Sequence, residues 1–154
     1  MPPPFALAIA IHVLSIVWWI GGLVLVTAVF LPALLSGEMG DARAAFHAIE
    51  RRFEPQARIA VLLAGLSGTY LVVRLQLWNC FLQARFWWLD AMVLFWLLFT
   101  FLLFIIGPAR LLERAARQGG DDRKVWQRMQ RIHFLLLVIA LIIIGGAVAG
   151  SHGF

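Results

Sequence analysis

The 154-residue sequence predicts an all-α integral membrane protein, one antiparallel bundle of four transmembrane helices over residues 1–154. Three observations carry this expectation. Apolar residues make up 62% of the chain and charged residues 14%, against roughly 45–50% and about 25% in soluble domains. A chain this short has too much surface for its volume to hide such an excess, so the excess faces a lipid bilayer. Second, the apolar residues fall into four runs near the ~20 residues that cross ~30 Å of hydrocarbon. Third, the basic residues lie almost wholly in two of the segments between those runs.

The first run, about residues 5–35, is long enough to tilt or to extend into the interface. No positive segment precedes it, and about 30 apolar residues exceed a signal-peptide core, so a retained helix is expected. Residues 36–56 read as a loop, then a helical stretch from Ala44 to Arg52 and a bend at Pro55. The second run, about 57–78, is the least apolar, because Arg58 and Arg74 must snorkel toward opposite surfaces. A short aromatic turn follows, in which Trp78, Phe81, Phe86, Trp87 and Trp88 form an interface belt. The third run, about 86–106, ends at Gly107-Pro108, a helix stop. Residues 109–131 are charged and helical in pattern, broken at Gly119-Gly120, and lead into the fourth run, about 132–150. Gly21-Gly22, Gly65, Gly68 and Gly146-x-x-x-Gly150 set small residues where helices approach closely. The last of these is also a candidate contact for a second copy or a partner.

Charge sets the expected orientation. Arg43, Arg51, Arg52 and Arg58 lie in or beside the first loop. Arg110, Arg114, Arg117, Arg123, Lys124, Arg128 and Arg131 lie in the other. That is all of the 13 basic residues except Arg74 and Arg85. The positive-inside rule makes both loops cytoplasmic and both termini periplasmic in a bacterial inner membrane. The net charge of +5 does not point to nucleic acid, since no basic stripe interleaves with aromatics on a polar face. Cys80, the only cysteine, excludes an internal disulfide framework and a CxxC metal motif.

Ionisable groups within a membrane are costly, and each is a functional candidate. His12 lies about 12 Å into the first helix at 1.5 Å per residue. Ser15, Trp19 and Gly22 share its inward stripe. A neutral imidazole there suits haem iron or copper; a hydrogen bond across helices explains it equally well. His133 and His152 stand at opposite ends of the fourth helix, about 28 Å apart, and cannot share a metal. His133 fits either a haem on the cytoplasmic side or contacts with headgroups and neighbouring helices. His47 reads as a solvated loop residue. Asp90 offers a metal ligand or proton relay beside His12, against a favourable first-turn position with Arg85 or Arg74 as partner. Met92 and Cys80 are soft ligands for copper(I) without Met-x-x-Met spacing, and packing is their commoner use. Arg51, Arg52 and Arg58 suit haem propionates through the planar guanidinium, or lipid headgroups. No nucleophile–base pair, Walker loop or zincin motif is present.

At His12-x6-Trp19-x2-Gly22 the chain resembles the copper-resistance-protein-D (CopD) superfamily and, more distantly, the HemJ-type protoporphyrinogen oxidases. Ile49-Glu50-Arg51-Arg52-Phe53 before Gly65 and Gly68 is similar to the family's entry to its second helix. Phe86-Trp87-Trp88-x-x-Ala91-Met92 and Ala149-Gly150-Ser151-His152-Gly153 resemble a small CopD-like subgroup. The resemblance implies a four-helix inner-membrane protein handling haem b or copper, with His12 as ligand and Trp19 beside it. Two departures stand out. Gln130-Arg131-Ile132-His133 replaces an Asn-Glu-x-Pro type sequence of the HemJ last helix, and Asp90 stands where related proteins carry histidine.

Three functions follow as expectations. The first is a haem-b- or metal-binding redox protein, with His12, Trp19, Gly22, Arg51, Arg52 and His133 around the cofactor. The second is copper uptake or resistance through His12, Asp90, Met92 and His152. The third is a non-catalytic accessory or assembly subunit, in a homo-oligomer or a larger membrane complex.

Overall fold

The computed structural model describes residues 3–106 and 122–151. These residues are all-helical with no strand among them, and they form the four-helix bundle the composition requires. Helix α1 (Pro3–Leu25) runs through a π segment (Val26–Phe30) into α2 (Leu31–Ser36). Helix α3 covers Ala42–Arg74, α4 covers Trp87–Phe101 and continues as a second π segment (Leu102–Ile106), and α5 covers Asp122–Ser151. Four stretches, Pro4–Ser36, Ala44–Arg74, Ala84–Ile106 and Arg123–Gly150, are each long and apolar enough to cross a membrane.

Proline explains the first irregularity. Pro32 lacks the N–H an α-helix would use, and its ring would press on the carbonyl one turn back. The backbone widens ahead of it, and Leu31 N–H donates to Val26 O, five residues earlier. Gly37 then ends the helix at φ +82°, a left-handed conformation that costs glycine little. The second π segment also precedes a proline, since Pro108 follows in the sequence.

The helices are longer than the apolar runs. Helix α3 begins at Ala42 and passes through Pro55 as one helix, so the expected loop shrinks to residues 37–41. The packing of Phe46 against Phe30 and Trp126 ties this polar first half to the neighbouring helices. Helix α3 ends at Arg74, before two short 3-10 turns, Leu77–Cys80 and Ala84–Phe86. Helix α5 begins at Asp122, ten residues ahead of the apolar run. The expected stop at Gly107-Pro108 and break at Gly119-Gly120 lie outside the described residues.

Two apolar clusters hold the bundle. One, at mid-height, joins Trp19, Ile20 and Leu23 of α1 to Val61 of α3, Phe95 and Phe99 of α4, and Leu137 and Ala140 of α5. The other lies near the end that carries the basic segments, here the basic end, and contains Phe30, Leu31, Leu34, Phe46, Trp126 and Met129. The opposite, terminal end is closed by the 75–86 turn. There the Gly146-x-x-x-Gly150 face receives Trp87 and Trp88 of α4. A Cβ at Gly146 would lie 2.6 Å from the Trp87 ring, and one at Gly150 would overlap Trp88. Within this chain, α4 takes up the glycine face that the sequence also offers to a partner.

Candidate functional site

The small residues of α3 shape the bundle's polar interior by a simple device. In a helix the carbonyl of residue i lies beneath the side chain of residue i+4, so glycine at i+4 leaves that oxygen accessible to a neighbour. Helix α3 does this twice. Trp96 Nε1 of α4 donates to Val61 O at 2.8 Å, across the surface that Gly65 leaves bare. On its other side, His12 Nδ1 of α1 lies 3.0 Å from Ala64 O, and a Cβ at Gly68 would be 3.0 Å from His12 Cε1.

The contacts of His12 determine its tautomer. A carbonyl oxygen only accepts, so Nδ1 carries the proton. Ser67 Oγ, 3.1 Å from the same nitrogen, is committed as a donor to Leu63 O at 2.5 Å and accepts a share of that N–H. Nε2 holds the lone pair and engages no described residue. The stripe expected from spacing is present: Ser15, Trp19 and Gly22 are buried below His12. What the ring occupies is a close-fitting notch between α1 and α3.

The cavity lies elsewhere. Between the two apolar clusters is a space of about 560 Å³, bounded by α1, α3, α4, both π segments and α5. Trp19, Leu23, Phe53, Phe99, Leu103 and Leu136 supply much of its apolar wall. Glu50, Glu54, Arg128 and His133 are its ionisable lining residues. This volume falls within the ~300–1,000 Å³ typical of small-molecule sites, which are also mostly apolar with a few polar groups. Trp19 is wedged at 4.9 Å from Phe99 and 5.7 Å from Phe95, and its enclosed Nε1 has no partner among the described residues. His133 Nδ1 donates to Met129 O at 2.9 Å, one turn back in its own helix, which leaves its Nε2 as the lone-pair nitrogen.

The remaining candidates are scattered. Gly22 makes room for Phe53, whose ring occupies the place a Cβ would take. Arg51 and Arg52 are exposed and outside the cavity wall; Arg51 Nε donates to His47 O at 3.3 Å. Asp90 accepts the Leu82 N–H with both oxygens, at 3.2 and 3.1 Å, and so secures a turn in which Leu82 has φ +62°. Arg85 lies over Phe86. Met92 packs against the mid-height cluster, and Cys80 is half-buried in the turn. His152 lies outside the described residues. Among those residues no three His, Cys, Asp or Glu side chains converge as a metal site.

Arg58, which the sequence sets beside Arg51 and Arg52 as a candidate for propionates or headgroups, is outside the cavity wall. Arg58 donates to Glu54 and, at 3.1 Å, to Leu103 O, with Phe104 under its guanidinium. Arg128 gives no signal in the sequence beyond its charge, and Phe53 appears there only within the Ile49-Glu50-Arg51-Arg52-Phe53 motif; packing brings both to the cavity.

Compared with protein-family models, curated proteins and solved structures, the chain matches none.

Proposed function

We propose that this protein binds haem b within the membrane and serves a redox role, with His133 as the axial ligand. One observation carries the reading: an apolar cavity of about 560 Å³ adjoins an imidazole whose Nδ1–H is already fixed by a carbonyl. A hydrogen bond at that nitrogen is the usual support of a metal-ligating histidine, because it orients the ring and raises the basicity of Nε2. The resemblance at His12, Trp19 and Gly22 pointed to haem or copper. The cavity favours haem, since a flat macrocycle needs space and copper needs several converging ligands.

The chain's own residues would then have distinct tasks. His133 would hold iron through Nε2, and Trp19, Leu23 and Phe99 would exclude water from the macrocycle's face. When bound, the haem supplies reversible one-electron chemistry, tuned by its ligand and by the dryness of the pocket. With the basic end in the cytoplasm of a bacterial cell, as the positive-inside rule expects, the cavity lies in the inner leaflet.

The test is direct. Protein expressed with iron and copper supplied and purified in neutral detergent should show a Soret band and contain iron without copper. A colourless preparation with neither metal would overturn the proposal.

A further inference from the structure

The ionisable groups of the cavity do not balance. Glu50 lies 3.4 Å from His47 Nδ1, and Glu54 accepts from Arg58, so each acid has a basic neighbour on its own helix, α3. Arg128, on the facing wall from α5, has no hydrogen bond or ion pair with any described residue. It stands at the basic end of a cavity that is otherwise nearly all carbon. Arg128 is exposed at the rim of this apolar space, where its guanidinium can take an anion. A carboxylate or phosphate can take two parallel N–H bonds from it.

We infer that the ligand of this cavity is an anionic amphiphile, whose apolar body fills the space beside Trp19 and whose carboxylate or phosphate is held by Arg128. The inference rests on the cavity being the ligand site. It adds the ligand's charge and direction, with the acidic end toward the basic end of the bundle. Two sources share this chemistry, the carboxylates of a haem and the headgroup of a lipid-like acid.

Binding of haemin, its dimethyl ester, dodecyl phosphate and dodecanol to full-length protein in neutral maltoside micelles separates the outcomes. Wild type should bind each acid about tenfold tighter than its neutral counterpart, the size of one charge-assisted contact. Arg128→Gln should bring both ratios to within about twofold, while Arg131→Gln, on the same helix but outside the cavity wall, should leave them unchanged. Equal binding of haemin and its ester to wild type, with dodecyl phosphate no better than dodecanol, overturns the inference and leaves the cavity reading standing. Arg128-dependent binding of dodecyl phosphate alone overturns the haem proposal and upholds the inference. Binding of none of the four overturns both.

Discussion

His12 and His133 occupy opposite halves of the bundle and have nearly the same local chemistry. Each commits Nδ1–H to a main-chain carbonyl and leaves Nε2 as the lone-pair nitrogen. They differ in what surrounds that nitrogen. His12 reaches across to another helix and is gripped by Ala64, Ser67 and Gly68, so its bond joins α1 to α3. The bond of His133 stays inside α5 and joins nothing, but its ring borders open space. A half-buried histidine is therefore read better from the helix that receives its hydrogen bond than from its depth or its neighbours in sequence.

The sharpest way to break this comparison is ligand binding. His133→Ala should weaken haem binding by about 100-fold, or ~2.7 kcal/mol, and His12→Ala by less than about twofold. A spectroscopic titration of the two variants decides it. The reverse order would move the site to the α1–α3 notch.

Filling space is expected to have a smaller effect, with opposite consequences in two places. Gly68→Val would push methyl groups into the His12 ring and should cost about 2 kcal/mol. A Cβ at Gly145 on α5 meets nothing within 4 Å, so Gly145→Val should change stability by less than about 0.5 kcal/mol. Unfolding in graded denaturing detergent measures both. Equal costs would mean that His12 is not held in a close-fitting notch.

The smallest contrast concerns the hydrogen bonds themselves. In the ligand-free protein His12→Ala should cost about 1 kcal/mol, in the range of interhelical bonds within membranes. His133→Ala should cost less than about 0.5 kcal/mol, since its bond stays within one helix and it borders a void. A larger loss at His133 would make that residue a packing element.

The balance between sequence and structure follows the same division. Hydropathy along one chain is a local property, so the four spans, their approximate limits and the inward stripe through Ser15, Trp19 and Gly22 were legible from composition and periodicity. Helix ends were less so. Pro55 and the polar residues around it read as the end of a loop, but α3 runs on through them, with Phe46 packed against Trp126.

For the candidate site, the residue types were visible and their grouping was not. The sequence groups His12, Asp90, Met92 and His152 in the outer half. Instead Asp90 secures the Leu82 turn, Met92 packs in the core, and His12 bonds to α3. Sequence by itself determined that this chain crosses a membrane and which residues would be costly there, because those follow from transfer free energies summed along the chain. Only the tertiary structure decided which histidine has room beside it. A cavity is left where two apolar clusters from four helices fail to meet, and no single segment encodes that gap.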